Sequence, residues 1–162
     1  KLRTGTKVWP IRIERKADAV LSGFWQPVIE QEPDIEGLSA LIPGLSGNAI
    51  MLTHTKRSDA LLHVLDDDKT AFLRLDSDGI WLDSGHPWAK EIGLFPPKAE
   101  AGERWVKLSD SSTITYTDPR LKRVGQNGNK KTRQWSIPLR TSDEKPIVYI
   151  GGQLVWRSTS VQ

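Results

Sequence analysis

Apolar residues recur along this chain in short alternating runs that stop at Gly, Pro, Asp and Ser. Alternation with period two predicts half-buried strands, and helical periodicity is poor almost everywhere. Residues 8–13 alternate through Val8, Ile11 and Ile13, but Pro10 demotes the run to an edge strand or bulge. Residues 24–29 form a second run around Pro27. Residues 30–47 mix acids, Pro33, Pro43 and glycines, which predicts a long surface connection with a helical turn over 35–41. Residues 48–55 read as a strand through Ile50, Leu52 and His54.

The clearest stretch is 60–83. Three apolar runs (ALLHVL, AFLRL and IWL) are separated by Asp66-Asp67-Asp68-Lys69 and Asp76-Ser77-Asp78-Gly79, which predicts a three-stranded meander. Gly79 suits the backbone that closes a short hairpin loop. Residues 84–103 read as a loop. Residues 105–108 and 113–117 read as strands around a turn at 109–112. Residues 118–133 are polar, basic and rich in Gly and Asn, and are expected to be a loop excursion. QWSIPL at 134–139 is another strand, and IVYI and QLVW flank Gly151-Gly152, which predicts a two-residue hairpin turn. About nine strands at roughly 8–15-residue spacing, with no long helix, predict an antiparallel β-sandwich, Ig-like or related. A partly open β-barrel is the alternative. The chain is expected to be one domain over 1–162, with 1–47 as a peripheral N-terminal extension carrying edge strands.

Composition narrows the chemistry. A chain of 162 residues can bury a core without disulfides or metals. It has seven Trp and no Cys. The missing Cys excludes a disulfide scaffold, a Cys-ligated zinc site, a Cys nucleophile and a Cys-ligated iron–sulfur cluster. No apolar run approaches the roughly 18 residues of a membrane span. The net charge of +3 conceals a segregation. Residues 1–16 carry +5, residues 17–118 carry −9, residues 119–142 carry +7, and the remainder is neutral. Basic segments flanking an acidic middle imply either ends that pack on the middle or a basic face for an anionic partner. The chain opens on Lys1, for which the expectation is a removed leader or a domain excised from a longer chain.

Several phrases occur in a distinctive order: Phe72-Leu73-Arg74 with Asp78-Gly79-Ile80-Trp81, Trp105-Val106 with Ser109-Asp110, Asp118 with Arg120, Trp135 with Ile137-Pro138-Leu139, and Gly152-Gln153-Leu154-Val155-Trp156. Over residues 48–157 this order resembles a β-rich extracytoplasmic domain of bacterial, especially actinobacterial, envelope or membrane-anchored proteins of unassigned function. The resemblance implies a periplasmic, secreted or membrane-anchored setting. Relatives often carry His beside the Asp and Arg corresponding to Asp118 and Arg120. Here the neighbours are Thr117 and Pro119, so a histidine-based metal role does not carry over.

Candidate chemistry is sparse. His54, His63 and His86 show no HxH or HxxxH spacing. Asp66, Asp67, Asp68, Asp76 and Asp78 lack the calcium-loop pattern, and turn chemistry accounts for them. Gly44-Leu45-Ser46-Gly47 approaches a nucleophile elbow in composition but lacks the strand and helix that would frame it. No phosphate-cradling glycine loop occurs. Neither a metal nor a cofactor is expected. Asp118 and Arg120 flank Pro119 and read either as a turn, with the carboxylate capping local N–H groups and Arg120 pairing with a sheet neighbour, or as a polar ligand site in the loop that follows. Trp81, Trp135 and Trp156 lie in strand runs and are expected in sheet packing, and Trp105 at the sandwich rim. Trp9, Trp25 and Trp88 neighbour Pro or loop residues and read either as loop anchors or as exposed platforms for sugar rings. The excursion has bases but no aromatic, unlike most nucleic-acid platforms, so no specific nucleic acid is expected. The expected function is a non-enzymatic binding module of the bacterial envelope. Its partner is a protein or envelope surface, polysaccharide or anionic lipid headgroups. Its contact residues are Asp118, Arg120, Lys122, Arg123, Lys130, Lys131, Arg133 and Trp88. The alternatives are a carbohydrate-binding module using Trp9, Trp25 and Trp88, and a hydrolase with a carboxylate pair.

Overall fold

A computed structural model describes residues 23–44, 47–55, 61–94, 102–121, 134–142 and 144–158. The edge strand expected over 8–13 lies outside them, as does Trp9. The strands are β1 (Gly23–Gln31), β2 (Leu38–Leu41), β3 (Ala49–His54), β4 (Leu62–Leu65), β5 (Ala71–Asp76), β6 (Gly79–Asp83), β7 (Trp105–Ser109), β8 (Thr113–Thr117), β9 (Gln134–Arg140) and β10 (Val148–Ser158). They form two antiparallel sheets, ordered β1-β10-β9-β4-β5-β6-β7 and β2-β3-β8. Both strands of the 23–44 stretch are sheet edges.

The sheets bury one shared core. Ile50 and Leu52 of β3 and Ile114 and Tyr116 of β8 pack with Val64, Leu73, Leu82, Ile137, Leu139 and Ile150 of the large sheet. Each fully buried aliphatic or aromatic side chain contributes about 1.5–3 kcal/mol relative to exposure. The fold is a β-sandwich. Among the described residues no ladder joins β1 to β7, so the large sheet stays open and the barrel alternative does not apply.

Local chemistry explains the meander. Asp76 pairs with Gly79 across a two-residue turn, and Asp76 Oδ1 accepts the N–H groups of Asp78 at 2.9 Å and Gly79 at 3.1 Å. Gly79 has φ +142°, and a Cβ there would collide with the Ser109 carbonyl of β7. The preceding turn is held by Asp66 Oδ1, which accepts from Asp68 N and Thr70 N, both at 2.8 Å. Register slips between Val64 and Leu65, and the adjacent residues Phe72 and Leu73 are both fully buried. Strict alternation would have turned one of them outward; the bulge adds an aromatic ring to the core.

Two local expectations are corrected. Gly151-Gly152 is not a turn, because both residues continue the single strand β10, paired with β9 on one side and β1 on the other. Gly152 is there for close approach: a Cβ would strike the Val28 carbonyl and stand 2.8 Å from the Trp135 ring. The expected helical turn over 35–41 is instead a single turn at 35–38, closed by Leu38 N–H donating to the Ile35 carbonyl at 3.1 Å, that leads into β2, whose N–H and C=O groups gain partners on β3. The strands expected on either side of the 109–112 turn are both present, and because they belong to different sheets that turn crosses the sandwich.

Candidate functional site

Asp118 and Arg120 are buried together at the end of β8. Asp118 is fully buried and accepts four hydrogen bonds: Tyr116 OH at 2.9 Å, Arg120 N at 3.0 Å, Arg120 Nε at 2.8 Å and Arg120 Nη2 at 2.9 Å. Arg120 Nη1 donates to the Leu65 carbonyl at 2.8 Å, which ties the end of β8 to the end of β4. Burial opposes the Arg120 charge, but the Asp118 carboxylate outweighs it and raises the pKa. Burial, reinforced by Asp118, pushes the Tyr116 phenol well above its ordinary value. This is a satisfied internal ion pair of the turn kind, with the carboxylate capping a local N–H.

Trp88 belongs to the same knot. It lies on the 3₁₀ turn Pro87–Lys90, half-buried, with its ring 5.1 Å from Phe72 and the Arg120 guanidinium carbon 5.0 Å above it. His86 precedes that turn. Its Nδ1 accepts the Trp88 N–H at 2.9 Å, which assigns the ring proton to Nε2, 2.6 Å from Asp66 Oδ2. Burial pushes the Asp66 carboxyl up, but the bonds from Thr70, His86 and Asp68 together outweigh it and hold the pKa below the ordinary value. Ile92 is fully buried at the far end of the loop, and its carbonyl accepts Thr117 N–H at 3.0 Å. Trp88 thus anchors its loop onto the sheet. Trp25 is half-buried against the core, and its ring meets the 43% exposed Trp156 edge-on at 5.3 Å.

Lys122, Arg123, Lys130, Lys131 and Arg133 lie outside the described residues. Among the described residues no group of three or more His, Cys, Asp or Glu gathers as a metal site would require. A cleft of about 330 Å³ borders the knot, lined by Asp66, Thr70, Asp83, Gly85, His86, Pro87 and Arg104. Its ionisable groups are engaged with one another. Asp83 accepts from Gly85 N at 3.0 Å and from Arg104 Nε at 2.8 Å, while Asp66 and His86 hold each other. Both ring nitrogens of His86 have partners, so its geometry is that of a clamp rather than a poised base.

A different constellation lies on the face of the large sheet turned away from the core. Register places Arg140 of β9 opposite His63 of β4, His63 opposite Arg74 of β5, Arg74 opposite Trp81 of β6, and Trp81 opposite Lys107 of β7. All five are half-buried. The Arg74 guanidinium carbon stands 4.8 Å from the Trp81 ring centroid and 5.1 Å from that of Trp105. Lys107 Nζ is 5.8 Å from the Trp81 ring, and His63 lies 6.0 Å from Trp105. Asp76 steadies the row by accepting Trp81 Nε1–H at 3.1 Å and lying 3.2 Å from Arg74 Nε. Lys107 pairs with Asp110, which raises its pKa.

The alternation along the chain does not single out this row. A sequence signal exists for it: each of LHVL, FLRL, GIWL and PLR holds one cationic or amphipathic residue beside core residues, and WVKL holds two. Only the register brings them level. No protein-family model matches this chain, and neither does a curated protein or a solved structure.

Proposed function

We propose that this chain is a non-enzymatic binding module of the bacterial envelope, acting outside the cytoplasm, and that it holds an anionic surface on the outer face of its seven-stranded sheet. The observation that carries the proposal is the guanidinium of Arg74 held between Trp81 and Trp105 within a row that also presents Arg140, His63 and Lys107. Contact with the two rings holds the guanidinium in place before a ligand arrives, so less rotamer freedom is lost when it meets a carboxylate or phosphate. The indole rings beside it offer apolar area to the same ligand. Cross-strand packing alone would be served by Thr, Val or Tyr in these positions. Lys122, Arg123, Lys130, Lys131 and Arg133 join the proposal on charge alone. The envelope setting rests on the resemblance of residues 48–157.

The test is retention on immobilised polygalacturonate and co-sedimentation with phosphatidylglycerol vesicles, each across a salt series. Wild-type protein binds at least one of them, and binding weakens as salt rises. The Arg74→Gln/Lys107→Gln variant loses about tenfold or more in affinity at unchanged melting temperature. Wild-type protein that ignores both matrices, or a double variant that binds as wild type does, overturns the proposal.

A further inference from the structure

Near the β1 edge of the large sheet, away from the cationic row, β1, β10 and β9 enclose a groove of about 630 Å³. That volume falls within the roughly 300–1,000 Å³ typical of small-molecule sites. Its lining groups are Glu30, Gln31, Gln134, Ser136 and Gln153, with Tyr149 at one side and Gly151-Gly152 beneath. Gln153 Nε2 reaches Glu30 Oε2 at 3.4 Å. Among the described residues the side chains of Gln31, Gln134 and Ser136 make no hydrogen bond. Tyr149 is 38% exposed, with Lys69 Nζ over its ring at 5.8 Å.

The two glycines of the floor differ in what the fold asks of them. Gly152 admits no side chain, as described above. Gly151 would tolerate one: a Cβ would meet Trp135 O at 3.7 Å and Gln31 Oε1 at 3.8 Å, which are ordinary contacts, and its φ lies outside the left-handed region. A glycine within a strand weakens it by roughly 0.5–1 kcal/mol relative to Ala. Neither turn geometry nor packing explains that choice. Its consequence is a bare backbone floor, with amide, hydroxyl and carboxylate groups standing around it.

The chemistry of the lining selects the ligand class. Lys69 stands over the Tyr149 ring, but no cation is among the lining residues and Glu30 adds negative charge there, which disfavours phosphates and carboxylates. A lone carboxylate does not make a metal site. Side chains of Gln both donate and accept hydrogen bonds, as does Ser, and so do vicinal hydroxyls. An exposed aromatic beside such groups offers a surface for the C–H face of a pyranose. We propose that the groove over Gly151 binds a neutral hexose unit of a glycan, a second site distinct from the cationic row and from the Trp residues that the sequence reading had offered to sugars.

The experiment is a titration of ¹⁵N-labelled protein with cellohexaose, maltohexaose, mannohexaose and N-acetylchitohexaose, with trigalacturonate as the charged control. At least one neutral hexaose shifts the amide signals of Gly151, Gln153 and Gln134, and trigalacturonate leaves them in place. Leaving sugar hydroxyls unpaired or filling the floor weakens that binding about tenfold or more in Gln134→Ala and Gly151→Leu at unchanged melting temperature. Should Gly151→Leu fail to fold, Gln134→Ala decides. The Arg74→Gln/Lys107→Gln variant retains hexaose binding, so this site and the cationic row fail separately. A set of hexaoses that moves no groove signal, or variants that bind as wild type does, overturns the proposal.

Discussion

Replacing Asp118 with Ala removes the acceptor of four hydrogen bonds from the centre of the knot and leaves the Arg120 guanidinium without its carboxylate, beside the Leu65 carbonyl and the Trp88 ring. A buried charge stripped of its partner costs about 3–5 kcal/mol. For a domain of this size each kcal/mol shifts the melting temperature by roughly 2–4 °C, so the variant melts about 6–20 °C lower. Asp118→Ala/Arg120→Met removes both charges and replaces the guanidinium with an apolar chain. It recovers part of the loss, because most of the penalty in the single variant is the orphaned cation rather than the absent pair. Calorimetry of wild type, both single variants and the double variant closes the cycle. An Asp118→Ala cost below about 1 kcal/mol, or a double variant weaker than the sum of its singles, refutes the assignment of this pair as the tie between β8 and β4.

Three further outcomes follow from the same geometry. Gly152→Ala loses about 3 kcal/mol or more, or fails to fold, whereas Gly151→Ala stays within about 1 kcal/mol of wild type, as urea unfolding measures. His86→Ala frees the 84–94 loop from Asp66 and costs about 1–3 kcal/mol, and amide exchange quickens at Trp88 and Ile92 before the core strands. Burial lowers the His54 pKa, so the unfolded chain takes up a proton near pH 6.5 that the folded chain takes up only at lower pH. The unfolded state then holds more protons in that window, stability falls as pH drops below about 6.5, and His54→Gln flattens that part of the profile. A profile identical in the two proteins contradicts the assignment.

The elements most legible in the sequence are those whose turn chemistry is local. Asp66 and Asp76 each close a turn through their own carboxylate, and Gly79 supplies the backbone, so the β4–β5–β6 meander was readable with no knowledge of the rest. The misreadings arose where a distant strand decides. Gly151-Gly152 looks like a turn until Val28 and Trp135 are known to press on it from neighbouring strands. Residues 38–41 become a strand only because β3 offers its edge. Phe72 enters the core through a register slip that alternation cannot foresee. The candidate sites divide in the same way. Asp118 and Arg120 stand close in sequence and are legible as a pair, and in the fold they are buried serving each other. Asp66 meets His86 from another loop, and Arg140, His63, Arg74, Trp81 and Lys107 come level only through sheet pairing. Trp81 lies half-open on the outer face, whereas Trp135 is buried as its strand run implies.

The central claim is that the outer face of β4 to β7 is the contact surface. Mapping of indole and arginine side-chain N–H signals during titration with polygalacturonate and with phosphatidylglycerol nanodiscs tests it directly. The account predicts saturable shifts at Trp81 Nε1–H, Trp105 Nε1–H and Arg74 Nε–H, with Trp135 and Trp88 unmoved. Saturable shifts confined to other parts of the molecule, or none with either ligand, would contradict it.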